Sequence, residues 1–312
     1  MKKIELIFFL PNFGLGGAGS SIYKLCANLS NKYKITIISL TNNYYKKKLN
    51  LNKISLIKLK SSRTIFSFKE INTIINKKIN EGKKIIFISN INYSNALSCA
   101  LLRKNKNLKI FLIERTPLTE LFIYKNFRDF IKKKIIYLLI LLFYSNSNKI
   151  VTNSTKISND FKMLLNRKIL TIFPPSISKL KKNSLHRKSL KTKIITVSRL
   201  SYEKNLIDIL KALNYLKNKD IELTIVGDGE EKYNLIKYVE TNGLSKNVKF
   251  VGQKKNPQHF LSKSNLYINS SFFEGFPNSV VEALNMNISV IASHSNGGIY
   301  DIISDNRDKL LY

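Results

Sequence analysis

Two cations and two carboxylates in the second half of the chain have the types and spacing to handle a sugar and a phosphate. In "VSRLSYEKN", Arg199 follows an apolar run and Lys204 stands at the start of the next helical pattern. Ligands bind at that position in open α/β sheets, and two cations there neutralise a diphosphate and stabilise it as a leaving group. Two surface cations in a lysine-rich protein fit the same spacing equally well. In "SSFFEGFPNSVVEALN", Glu274 lies in a loop and Glu282 just inside a helix that starts at Pro277-Asn278. Carboxylates accept bonds from sugar and ribose hydroxyls, and the first N–H groups of that helix, at Asn278 and Ser279, lie free for an anion. The plainer reading makes Glu282 a partner of the helix dipole and Glu274 a solvated loop residue.

A third feature lies near the start, where "FFLPNFGLGGAGSSIYKL" contains G-x-G-x-x-G at Gly14, Gly16 and Gly19. A dinucleotide fingerprint needs an acid at the end of the second strand, and no Asp or Glu occurs between Glu5 and Glu70. A phosphate loop of the Lys-Ser type fails as well, because Ser20-Ser21 stand where that pair is required. What survives is a glycine loop at a helix N-terminus, able to approach an anion through backbone N–H groups, or a turn that lets helix and strand pack.

The elements that must position these residues alternate. Strand-like runs "IELIFFL", "ITIISL", "KIIFISN", "KIFLIE", "KIVTNS" and "ILTIFPP" are separated by helical segments such as 20–30 and 119–143. A polar, basic stretch opening on Pro-Pro follows. The series then resumes with "KIITVSRL", "NLIDILKALNYLKN", "IELTIVGDG", "VKFVG", "LYINSS" and "ISVIAS". Alternation of this kind predicts α/β architecture with parallel sheets. The expected organisation is two Rossmann-like domains facing a cleft: 1–176, a linker at 177–192, and 193–312.

The chain has 312 residues and a formal net charge of +33. Residues 1–176 carry 32 Lys and Arg against 7 Asp and Glu, and the remainder 21 against 13. The excess in the first half, with "FIKKKIIYLLILLFYSNSN", points to something anionic there. The apolar run is too short to span a bilayer but suits an anionic membrane surface, with a core helix and solvated basic end as the alternative. Such charge also raises nucleic acid as a partner, which no motif supports, and none is expected. Cys26 and Cys99 show no metal spacing and suit a reduced compartment. The first residues imitate a signal peptide, but a buried strand is the better reading.

Taken together, "VSRLSYEKN", "VGDGEE", "VKFVGQKKN" and "FFEGFPNSVVEAL…ISVIAS" resemble retaining glycosyltransferases of the GT-B fold, glycosyltransferase family four, of polysaccharide-assembling type. "GLGGAGSSIYKLCANLS", "IVTNSTKISNDF" and "IFPP" extend the resemblance through the first half. It implies that Arg199 and Lys204 hold the donor diphosphate, that Glu274 contacts the transferred sugar, and that Glu282 binds the ribose. Gly227, Gly275, Phe276, Asn278 and Ser279 would line phosphates and sugar, Gln253 and Lys254 would edge the base, and Gly16 and Gly17 would approach the donor phosphates. It further implies a nucleotide sugar, UDP-linked, as donor, no cofactor or metal, and retention by same-face substitution. The acceptor would be a lipid-linked or oligosaccharide glycan, and the location cytoplasmic, peripheral on the inner face of the plasma membrane.

Two departures accompany the resemblance. The histidines, His186, His259 and His294, lie outside the first-domain loops where the family carries one, and "FLIERTP" occupies that neighbourhood. Arg115 is there the candidate for acceptor phosphate or sugar, or else for a structural salt bridge. The sequence also ends at "SDNRDKLLY", where the family continues into helices that return to the first domain, so those helices are expected to be truncated. A non-catalytic truncated relative, a sugar-nucleotide epimerase and a basic nucleic-acid-binding protein are the competing expectations.

Overall fold

The computed structural model describes residues 4–14, 16–41, 53–177, 191–216 and 220–303. The chain divides into two compact units, Met1–Pro175 and Ser176–Tyr312. Most of the expected linker at 177–192, and the terminal "DNRDKLLY", lie outside the described residues.

The first unit is a seven-stranded sheet in the order β3-β2-β1-β4-β5-β6-β7. The strands are β1 (Ile4–Phe9), β2 (Lys34–Ser39), β3 (Ile54–Lys58), β4 (Lys84–Asn90), β5 (Leu108–Glu114), β6 (Lys149–Thr152) and β7 (Leu170–Thr171). Every pairing is parallel. The helices are α1 (Gly17–Leu29), α2 (Thr64–Asn80), α3 (Asn92–Leu101), α4 (Phe127–Phe143) and α5 (Thr155–Leu165). Successive side chains of a strand point to opposite faces. Accordingly Ile7 and Phe9 enter one buried cluster while Leu6 and Phe8 enter another. A strand covered on both faces reads as a largely apolar run, as "IELIFF" does apart from Glu5, which is buried and paired with Lys78.

The second unit repeats the plan with a five-stranded parallel sheet in the order β10-β9-β8-β11-β13. Its strands are β8 (Thr192–Val197), β9 (Ile221–Val226), β10 (Val248–Gly252), β11 (Leu266–Asn269) and β13 (Ser289–Ala292). A separate parallel pair joins β12 (Phe273–Glu274) to β14 (Asn296–Gly297). The helices are α6 (Leu206–Leu216), α7 (Lys232–Thr241), α8 (Gln258–Leu261) and α9 (Asn278–Leu284). Ile194 and Ile195 point into different clusters, so this sheet too is covered on both faces. Two Rossmann-like α/β units are the architecture that the alternating sequence predicts.

Two helix boundaries differ from that prediction. The helix expected over 119–143 is a short 3-10 turn, Leu118–Phe122, followed by α4. Asn126 starts the second piece, its side chain accepting from the Asp129 N–H at 2.9 Å. The Asp129 carboxylate accepts in turn from the Lys125 N–H at 3.1 Å, a reciprocal cap that holds the chain out of helix. The helix expected to begin at Ser20 begins at Gly17, with Gly19 buried inside it; packing on the sheet overrides the low helix propensity of glycine.

Candidate functional site

In the second unit the strand order reverses between β8 and β11, and the chain leaving both strands runs along the same edge of the sheet. At such a switch point the loops diverge and leave a crevice. Arg199 and Lys204 follow β8, and Glu274 follows β11. Lys204 Nζ lies 2.6 Å from Glu274 Oε1, with 15% and 13% of their side chains exposed. Lys204 closes a 3-10 turn, Tyr202–Lys204, and is not at the start of a helix; Asn205, left-handed at φ 48°, separates it from α6. Arg199 is exposed, and its Nη1 stands 3.8 Å from Glu203 Oε1. Burial opposes ionisation of Glu203, yet the Ser201 hydroxyl, its own N–H, and the cations of Arg199 and Lys204 hold its pKa below the usual value.

Several bonds fasten the two loops to each other. Ser270 Oγ donates to the Lys204 carbonyl at 2.8 Å, and the Phe272 N–H donates to the Glu203 carbonyl at 2.9 Å. Tyr202 and Phe272 rings pack at 5.4 Å between centroids. Ser271 Oγ donates to Glu274 Oε1 at 2.9 Å, so that oxygen receives both a hydroxyl and an ammonium. Glu274 is therefore neither a loop residue nor solvated: it ends the short strand β12.

Glycines allow the close approaches. Gly227, at φ 156°, follows β9, and a Cβ on it would stand 1.8 Å from the Ser198 carbonyl oxygen. Gly297, at φ 134°, pairs with Glu274, and a Cβ there would stand 1.5 Å from the Glu274 carbonyl oxygen. Gly298 similarly faces the Gly275 carbonyl and Phe276. Gly297 and Gly298 belong to the site although the sequence reading did not name them. The Gly-Gly of "SNGG" is their only local signal.

The helix α9 supplies less than the sequence suggested. The Asn278 N–H is not free, because it donates to the Phe276 carbonyl at 3.0 Å; Val280 N–H donates to Pro277 at 3.0 Å. Asn278 Oδ1 accepts from Ser176 Oγ at 2.6 Å. Glu282 lies one turn beyond Ser279, past the first turn, so it does not complement the helix dipole. Tyr267, from β11, was also missed. Its hydroxyl is 2.7 Å from Ser279 Oγ and reaches the Val197 carbonyl at 3.4 Å. Burial raises its pKa first, and the nearby charges of Glu274 and Glu282 raise it further. Gln253 and Lys254 are exposed just after β10.

The first unit has its own switch point, between β1 and β4. Gly16, at φ 147°, precedes α1, and the first-turn donors begin at Gly17. Asn90 ends β4; its Nδ2 donates to the Phe9 carbonyl at 3.2 Å, and its Oδ1 accepts from Arg115 Nε at 3.4 Å. Burial lowers the Arg115 pKa to about 10, and among the described residues no carboxylate lies within ion-pair distance of it. The structural salt bridge offered as the alternative for Arg115 is therefore not seen among the described residues, and the neighbouring Glu114 has other partners. Glu114 is fully buried and accepts from Asn95 Nδ2 at 2.6 Å and from the Tyr144 hydroxyl. Burial raises its pKa to about 7.

Among the described residues, no group of three or more His, Cys, Asp or Glu is arranged to hold a metal ion. The site is an ion pair and a set of polar groups on the edge of a parallel sheet, suited to an anionic, hydroxyl-rich ligand.

A model of the glycosyl transferases group 1 family matches residues 178–312. An uncharacterized glycosyltransferase of Methanocaldococcus jannaschii is 28% identical over 292 residues, covering 87% of this chain and 71% of that protein. The Campylobacter jejuni N-acetylgalactosamine-N,N'-diacetylbacillosaminyl-diphospho-undecaprenol 4-alpha-N-acetylgalactosaminyltransferase is 24% identical over 324 residues, covering 100% and 86%. Among solved structures, Anabaena HepE in complex with UDP-glucose superposes with a TM-score of 0.74 at 16% identity, covering 99% of this chain and 85% of that one.

Proposed function

We propose that this chain, whose residues 178–312 match the glycosyl transferases group 1 family and whose two units share the GT-B architecture of its structural neighbours, is a glycosyltransferase that transfers a hexose or N-acetylhexosamine from a UDP-sugar, with retention of configuration, to a growing surface glycan borne on a lipid diphosphate. The Lys204–Glu274 pair at the sheet's switch point carries this reading. The UDP-glucose bound by the Anabaena neighbour and the diphospho-undecaprenol in the Campylobacter relative's name support the donor and acceptor classes.

Each side chain then has a task. Lys204 and Arg199 meet the diphosphate, taking up the charge that develops as the glycosidic bond breaks. Glu274, held by Lys204 and Ser271, accepts from hydroxyls of the transferred sugar. Glu282 accepts from the ribose, and Ser279, oriented by Tyr267, meets phosphate or sugar. Gly227 and Gly275 to Phe276 leave room for the ligand against backbone, and Gln253 and Lys254 edge the base. No carboxylate is assigned as a nucleophile, so the incoming hydroxyl attacks the face that the diphosphate leaves, through an oxocarbenium-like state, as the bond from the anomeric carbon to the diphosphate oxygen breaks and that diphosphate takes the hydroxyl proton. In the first unit, Arg115 takes an acceptor phosphate or sugar, and Gly16 and Gly17 form an anion-competent turn. The setting is the cytoplasmic face of a membrane, with the protein peripheral.

The test is incubation with a panel of nucleotide sugars, following nucleoside diphosphate release and the anomeric configuration of the product by proton NMR. Release with one UDP-sugar, dependent on acceptor and giving a retained product, is expected. Full transfer by a Glu274→Ala variant would remove the site assignment, and an inverted product would remove the mechanism.

A further inference from the structure

Helix α4 is apolar on two opposite faces. One carries Ile136 and Ile140, buried in the first unit's larger cluster. The other leaves Phe127, Ile131, Ile135, Leu138 and Leu142 at the surface, 74%, 43%, 50%, 54% and 57% exposed. At separations of four, four, three and four residues these side chains form one row along the helix. A helix on the surface of a water-soluble unit ordinarily turns charged and polar groups outward; here large aliphatic and aromatic groups take their place. A patch of this extent marks an interaction surface.

The groups beside the row identify what covers it. Lys134 Nζ lies 5.7 Å from the ring centres of both Phe122 and Phe130, themselves exposed. Arg128 and Lys132 are exposed along its other border. Lys133 differs from its neighbours: it pairs with Asp129 at 2.9 Å and donates to the Ile123 carbonyl at 2.5 Å, with only 15% of its side chain exposed. The basic run "KKK" therefore presents two cations, not three, and both flank apolar side chains. A second copy of this chain would bring the same cations face to face, in a protein of net charge +33. An anionic lipid surface satisfies both features at once, since it takes apolar side chains at the acyl boundary and cations at the phosphates.

The helix has 17 residues, about 25 Å at 1.5 Å per residue, against a hydrocarbon core of about 30 Å. Among the described residues no helix is long and apolar enough to cross a membrane. We propose that α4 lies in the plane of an anionic bilayer, its exposed row in the acyl boundary and Arg128, Lys132 and Lys134 at the lipid phosphates. The proposed function gives this face its purpose, a lipid-borne acceptor, but binding itself needs no substrate.

The experiment is flotation of the full chain with phosphatidylglycerol–phosphatidylcholine vesicles and with pure phosphatidylcholine vesicles. Wild-type protein is expected to float with the anionic vesicles, and less at high salt. Ile135→Glu/Leu138→Glu should lower its partition coefficient about tenfold or more, and Lys132→Glu/Lys134→Glu should abolish the preference for phosphatidylglycerol. Failure of the wild type to float, or equal flotation of Ile135→Glu/Leu138→Glu, overturns the proposal. So does a wild-type dimer in sedimentation velocity that Ile135→Glu/Leu138→Glu dissociates, which would assign the row to a second copy. Nucleoside diphosphate release to a soluble acceptor analogue, measured without vesicles, separates the two readings. Flotation without any such release preserves the membrane face and removes the catalytic reading.

Discussion

Lys204 Nζ and Glu274 Oε1, 70 positions apart in sequence, meet at 2.6 Å across the point where the strand order of the second sheet reverses. The pair joins the chain leaving β8 to the chain leaving β11. Under the proposed function, an incoming diphosphate would compete with Glu274 for the ammonium, and sugar hydroxyls would compete with Lys204 for the carboxylate.

Removing either partner should show in rate and in stability. Lys204→Ala and Glu274→Ala are each expected to lower kcat about a hundredfold or more, the range for removing one group that meets developing charge. Each leaves its partner's charge half-buried, at a cost of about 1–2 kcal/mol, less than for a fully buried pair. In urea melts the double variant should lose less than the two single losses combined, which is the signature of direct coupling.

The glycines predict a contrast. Gly297→Ala sets a Cβ on the Glu274 carbonyl, so β12 and β14 must separate. Loss of UDP binding by calorimetry and a clear drop in Tm are expected. Gly16→Ala meets nothing within 4 Å and suffers only backbone strain of about 1–3 kcal/mol. If Gly297→Ala binds UDP as the wild type does, the β12–β14 pair does not shape the site.

Tyr267→Phe removes a buried hydroxyl whose bond to Ser279 is 2.7 Å. The loss should be about 1 kcal/mol in stability. A rise in donor KM larger than any change in kcat is expected, since Ser279 loses its orientation while the Lys204–Glu274 pair stays intact. Steady-state kinetics against donor concentration separates the two parameters.

Glu114 makes stability depend on pH in a direction opposite to that of a salt-bridged carboxylate. Burial raises its folded pKa to about 7 from an ordinary value of 4.5. The folded state therefore holds a proton that the unfolded state has released, and stability falls as pH rises between these values. Above about pH 7 the loss is complete, on the order of a few kcal/mol. Glu114→Gln should be flat through this range and more stable than wild type at pH 8; a wild type as stable at pH 8 as at pH 5 contradicts the assignment.

What the sequence made legible follows from what is local. "KIIFISN" and "VKFVG" coincide residue for residue with β4 and β10: β4 is central and buried over most of its length, so it appears as a near-continuous apolar run, whereas β10 is an edge strand whose Lys249 is exposed between apolar neighbours. Arg199, Lys204 and Glu274 stand out by charge and by their place after strands. Their pairing was not legible, since it arises only when the parallel order brings β8 beside β11. Tyr267 was hidden inside the apolar run "LYINSS", where nothing local distinguishes a phenol that bonds to another helix. The gap between Phe122 and Phe127 was hidden for the opposite reason: one Asn side chain, and not a Gly or Pro, ends the apolar pattern.

The pairing of Glu274 with Gly297 has a consequence for synthesis. The ligand edge of the second unit is assembled from three stretches, 198–204, 270–279 and 296–298, and the last of them supplies the strand partner of the first carboxylate. A nascent chain that has exposed β8 through α9 carries Arg199, Lys204, Glu274 and Glu282 but lacks the strand partner of Glu274, which residues 296–297 supply.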